Sequence, residues 1–180
     1  RALVLAETET HQRAGVWDMD TGHVRWLVDD PLRNLERAFV PYGSDWAVLI
    51  EIREARVWAS LLDPETGEEK PLPPMGGNLV PCAPVGDGAW IGEYSSSTQP
   101  GDVVRFDPSD VRPEACRSVA RIWERTSLTA SDLTPAEDFR WRAPDGLEIQ
   151  GWLYRARGEP QGTIVDVHGG PTWHNWDAVE

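Results

Sequence analysis

The sequence predicts a mostly-β chain: the C-terminal part of a propeller built from four-stranded antiparallel blades, followed by the first strands of an α/β domain. Strand–turn–strand patterns recur about 43 residues apart over the first ~130 residues, within the ~40–50-residue period of propeller blades. Helical periodicity is almost absent from that stretch. Beyond a small polar connector the pattern changes to a hairpin, then to a continuous apolar run ending at His168-Gly169-Gly170-Pro171.

The elements follow in order. Val16-Trp17-Asp18-Met19-Asp20-Thr21-Gly22-His23-Val24-Arg25-Trp26-Leu27 reads as strand, tight turn, strand. Residues 57–68 repeat the pattern around Asp63-Pro64-Glu65-Thr66-Gly67, and Val103–Ser109 gives it again less cleanly. Asp caps such turns through its side chain and Gly accepts positive φ, so both suit hairpins. Further strands are expected at Trp46–Ile50 and Ala89–Tyr94, and Trp17, Trp46, Trp58 and Trp90 are expected to be largely buried. The connector Pro71–Gly77 reads as a stiff crossing between blades. A β-sandwich is the competing architecture. Residues 1–131 are thus expected to form about three blades of a partial propeller, and residues 132–180 the incomplete start of a catalytic domain.

In that second part, Glu137–Ala143 alternates as a strand, Pro144-Asp145-Gly146 turns it, and Glu148–Tyr154 returns. A polar loop leads to Thr163-Ile164-Val165-Asp166-Val167-His168, whose β-branched run suits a strand buried on both faces. The chain looks cut at both ends: Arg1–Leu5 resembles a strand met midway, and the sequence stops soon after its most informative motif. Large apolar surfaces are therefore expected to be covered by the rest of a parent chain or by another copy.

Composition narrows the function. The 180 residues carry 17 basic and 30 acidic side chains, a net charge of −13. No basic footprint exists for nucleic acid or an anionic membrane. Ten tryptophans supply large packing anchors. Cys82 and Cys116 lack the spacing of a zinc site or the density of a disulfide scaffold, and both read as reduced thiols of a cytoplasmic protein. No cofactor and no metal are expected. His168, His174, Asp166 and Asp177 lie close in sequence but do not make a convergent ligand set. Glu51–Arg56 reads as a charged, solvated hairpin end, and the serines at 95–97 as part of the propeller.

The chemistry is expected at the glycines. Two adjacent glycines after a strand let backbone N–H groups approach a ligand closely, and Pro171 fixes the exit. Free, inward-pointing amides are what acyl transfer needs to hold a developing oxyanion. In α/β-hydrolases one such amide comes from an HGGG-type loop and the other from the residue after the nucleophile.

Residues 139–154 together with Ile164–Pro171 closely resemble the start of the catalytic domain in prolyl oligopeptidase-family serine peptidases, nearest the acylaminoacyl-peptidase branch. Ser95–Val103 resembles the segment that often precedes a last-blade strand there. The resemblance is strong over residues 137–173 and architectural over residues 1–130. It implies a propeller capping an α/β-hydrolase and admitting only short or unstructured peptides to a Ser-Asp-His triad. It also implies that the Gly170 amide is an oxyanion donor, that Gly169 allows its close approach, and that His168 and Pro171 shape the loop. Relatives that cut after proline often carry Tyr where His168 stands, which points away from strict prolyl endopeptidases. No Gly-x-Ser-x-Gly elbow is present, so nucleophile, acid and base are expected beyond Glu180 and the chain alone is expected to be inactive. Trp173 and Trp176 are candidates for lining the substrate pocket or for packing the loop under the propeller. The partners implied are short peptides, and the parent can be homo-oligomeric. An esterase of the same fold and a non-catalytic propeller module that binds peptides are the other readings.

Overall fold

The computed structural model describes all residues except 73–74, 111, 113–115, 171–172 and 180. Among them, thirteen strands form three stacked antiparallel sheets and one separate hairpin. The first sheet has three strands, β1 (Ala2–Glu7), β2 (Gln12–Trp17) and β3 (Val24–Val28). The second runs in order through β4 (Leu35–Phe39), β5 (Ala47–Arg53), β6 (Arg56–Leu62) and β7 (Glu69–Pro71). The third does the same with β8 (Asn78–Gly86), β9 (Ala89–Ser96), β10 (Gln99–Phe106) and β11 (Arg117–Ser118). These are blades: each is a meander whose neighbours in sequence are neighbours in space.

In the first two sheets the recurring turn is the same structure. In the first sheet the Asp18 N–H donates to the His23 carbonyl and the Gly22 N–H to the Asp18 carbonyl, both at 2.8 Å. In the second, Asp63 with Glu68 and Gly67 with Asp63 repeat those bonds at the same length. Gly22 and Gly67 take φ of +76° and +81°, which is why glycine closes both. The carboxylates of Asp18, Asp63 and Asp107 each accept bonds from the turn's N–H and hydroxyl groups, and these hold all three below the usual carboxylate range. Matching the turns places β1–β3 opposite the last three strands of the other two sheets.

The core lies between the sheets. Val48 and Ile50 of β5 with Val57, Ala59 and Leu61 of β6 pack on Leu79, Trp90, Val104 and Phe106 of the third sheet. Their neighbours Ala47, Leu49 and Leu62 point the other way, onto Ala14, Val28 and Leu35. β5 is thus buried on both faces, as expected for a strand with a blade on either side. Of the four tryptophans expected inside, only Trp90 is fully buried, at 6% exposure. Trp17 is 40% exposed, because its alternation in β2 turns it outward. Trp46 and Trp58 are partly covered, with Lys70 and Arg53 respectively lying over their rings at 4.0 and 5.4 Å. Both cysteines are free, and burial pushes the Cys116 thiol up to about 11.

After two short 3-10 turns, Trp123–Arg125 and Ala130–Asp132, the strands β12 (Ala136–Arg142) and β13 (Glu148–Tyr154) pair with each other and, among the described residues, with no other strand. No helix among the described residues is long and apolar enough to cross a membrane.

Candidate functional site

The buried strand expected over residues 163–168 does not form. Those residues belong to no strand and pair with none of the described residues, and Ile164, Val165 and Val167 stand 96%, 80% and 80% exposed. A central strand requires a neighbour on each edge and cover on both faces, and among the described residues nothing supplies either. In the preceding hairpin β12 is itself largely exposed, with Phe139 and Trp141 stacked at 5.8 Å on one face.

At the end of that run His168 lies in solvent, and its Nδ1 lies 2.7 Å from the Gly169 carbonyl, fitting the tautomer that donates there. A Cβ on Gly169 would meet nothing within 4 Å, so space is left beside its backbone. Gly170 takes φ of +155°, a conformation open to glycine and strained for other residues. Among the described residues no backbone carbonyl takes the N–H of Gly169 or Gly170. Pro171 lies outside the described residues. The chain then descends onto the sheets. Trp173 remains 62% exposed, whereas Trp176 packs against the larger core cluster. His174 sits between them, its ring 4.1 Å from that of Trp176 in an edge contact. Burial lowers its pKa; the Glu36 charge opposes this and His168 reinforces it.

What sequence reasoning missed is how this segment is anchored. Asp177 is buried, and its Oδ2 accepts from Arg56 Nε at 3.1 Å and Nη2 at 2.7 Å. Its Oδ1 accepts from the Ser97 N–H at 3.3 Å, and its carbonyl from Asn78 Nδ2 at 2.9 Å. Asn78 in turn accepts the Val57 N–H at 3.0 Å. Trp152 of the hairpin donates its indole N–H to the Asn175 carbonyl at 2.9 Å, under the Arg56 guanidinium at 4.6 Å. Val179 donates to the Ser96 carbonyl at 3.2 Å, and Ala136 to the Ser97 hydroxyl at 2.9 Å. The β5–β6 and β9–β10 turns therefore present one edge of the sheet stack to both the hairpin and the glycine loop.

The Glu51–Arg56 hairpin is solvated at its tip, where Arg53 and Glu54 are exposed, but not at its base. Glu51 is 3% exposed and is held by Arg53 at 2.7 Å and by Arg33. Arg33 also pairs with Glu69 at 2.7 Å, and Glu69 accepts from Ser60 at 2.5 Å. Burial works to raise the Glu69 pKa, but the bonds from Arg33 and Ser60 outweigh it and the net shift is downward. Arg33, Glu51, Trp58, Ser60 and Glu69 line an open cavity of about 630 Å³. Such a buried, alternating network becomes legible only when strand register is known, since a run of mixed charges reads equally well as solvated surface. Among the described residues no three His, Cys, Asp or Glu side chains converge as a metal site would require.

Solved structures share this architecture. Pyrococcus horikoshii acylaminoacyl peptidase matches 83% of the chain at 20% identity with a TM-score of 0.57. The dipeptidyl peptidase 4 of Porphyromonas gingivalis matches 85% at 14% identity with a TM-score of 0.60. A puromycin hydrolase matches 80% at 19% identity with a TM-score of 0.55. The chain has the fold of part of these enzymes. It spans 22% of the length of each. No protein-family model and no curated protein matches the sequence.

Proposed function

We propose that this chain is a segment of a serine peptidase of the prolyl oligopeptidase family, nearest the acylaminoacyl-peptidase branch, that hydrolyses short peptides by acyl transfer. Residues 1–131 are then the last blades of a propeller that gates access, and residues 132–180 the start of the α/β-hydrolase domain. The observation that carries this reading is the fold shared with these peptidases over 80% and 83% of the chain, together with His-Gly-Gly-Pro at residues 168–171. In this reading the Gly170 N–H donates to the oxygen of the tetrahedral intermediate, and Gly169 keeps the approach free of side chains. A donor already placed there costs no reorganisation as charge develops, so it lowers the barrier rather than merely binding substrate. His168, bonded to Gly169, holds the loop's shape. Nucleophile, acid and base come from sequence beyond this segment, and the isolated segment is inactive.

The test is hydrolysis of a short chromogenic peptide and of a small ester by the full-length protein, with labelling by a fluorophosphonate. Peptide turnover that the label abolishes is expected. Ester turnover without peptide turnover would move the assignment to an esterase, and neither activity would leave a peptide-binding propeller.

A further inference from the structure

The anchoring of the segment after the glycines goes beyond packing. Resting on the reading of His168–Pro171 as an oxyanion loop, we propose that Arg56 is a positioning residue that holds this loop through Asp177. The Asp177 side chain is 3% exposed and takes a two-pronged bond from Arg56. A buried ion pair is poor support for stability by itself, because apolar replacements often do as well. Its virtue is geometric: two N–H groups of the planar guanidinium converge on Oδ2 while the Ser97 N–H holds Oδ1, so both carboxylate oxygens are fixed. Around it, residues 175–179 are bound by three further elements, through Trp152, Asn78, Ser96 and Ser97.

The turn that presents Arg56 is itself strained. Glu54 and Ala55 take φ of +52° and +54° without being glycine. Such strain persists only where surroundings over-determine it. Here Arg53 is tied back to Glu51 and Glu54 reaches Arg140 of the hairpin at 2.6 Å. On its upstream side the loop follows an exposed, unpaired run. The Asp177 carboxylate is thus the charged anchor of the segment that follows the glycines, seven residues from Gly170 and two beyond the Asn175 carbonyl held by Trp152.

The experiment compares wild type, Arg56→Ala, Arg56→Lys and Arg56→Ala/Asp177→Ala in the full-length protein. It reads amide hydrogen exchange over residues 173–179 and steady-state cleavage of a short chromogenic peptide. Arg56→Ala is expected to speed exchange on the order of tenfold, as local opening becomes easier. It should also lower kcat by about tenfold with KM nearly unchanged, since a displacement of about 1 Å from a remote mutation costs up to ~10²-fold. Arg56→Lys keeps the charge but loses the fork, so it should fall between. The double variant should be no worse than Arg56→Ala, because one residue acts through the other. Unchanged exchange in Arg56→Ala, faster exchange with wild-type kcat, or a double variant with clearly lower kcat than Arg56→Ala would each overturn the proposal. A wild type without peptidase activity would instead sink the peptidase reading and, with it, the catalytic role of Arg56; the exchange arm would still show whether Arg56 holds the segment.

Discussion

Gly92 offers a controlled test of the blade packing beneath the site. It lies in β9, between β8 and β10, in the sheet whose β9–β10 turn receives Asp177. A Cβ there would stand 2.7 Å from the Val80 carbonyl oxygen and 3.2 Å from Leu79 Cδ1 and Phe106 Cε1. The nearest atom is backbone within a paired strand, so relief means displacing β8 and straining its ladder. Overpacking of this kind costs about 1–3 kcal/mol, and each ladder bond weakened adds up to ~1 kcal/mol. The methyl also restricts the unfolded chain, which returns about 0.4–1 kcal/mol. Gly92→Ala should therefore destabilise by roughly 2 kcal/mol. Gly101, in β10 of the same sheet, is the control. A Cβ there would meet only Glu93 Oε1, at 4.0 Å, so Gly101→Ala should be neutral or slightly stabilising. For a chain of this size the two variants should melt about 4–10 °C apart. Circular dichroism and urea midpoints on purified protein read the difference. Gly92→Ala melting within a degree of Gly101→Ala would refute the β8–β9–β10 register.

Two further outcomes follow from burial and titration. Trp90→Ala should cost ~3–5 kcal/mol, as for a buried aromatic, whereas Trp17→Ala, at 40% exposure, should cost well under half of that; equal urea midpoints would show the outward register of β2 to be wrong. Because burial lowers the His174 pKa below its ordinary 6.5, docking of its segment favours the neutral ring. That contribution is present above pH ~6.5 and is lost as pH falls through the lower docked value. Hydrogen exchange over residues 173–179 should accelerate on acidification, and His174→Gln should flatten that dependence.

The repeating Asp–Thr–Gly turns were legible because each satisfies its own hydrogen bonds locally, so sequence and structure coincide at Asp18–Gly22 and Asp63–Gly67. The hairpin over residues 136–154 was legible for the same reason. Tryptophan burial was not: strand position locates a residue, but only the packing of sheets decides which face is inside, and Trp17 and Trp90 fell on different sides of that decision. The apolar run before His168 shows the converse, since its composition suits a covered strand while cover must come from elsewhere in space. Arg56 and Asp177 stand 121 residues apart, and no local pattern links them. Likewise Glu51, Arg33 and Glu69 become a network only through the β4–β5–β6–β7 order.

The central claim is that the Gly169–Gly170 backbone serves an oxyanion, and the kcat of Gly170→Ala tests it most directly. At φ of +155° an added Cβ displaces the amide without deleting it. Loss of one oxyanion donor costs roughly 10²–10³ in kcat, so the folded variant should lose a sizeable part of that on both a chromogenic peptide and a small ester, with KM little changed. Wild-type kcat on both substrates, in a variant whose circular dichroism is unaltered, would contradict the account.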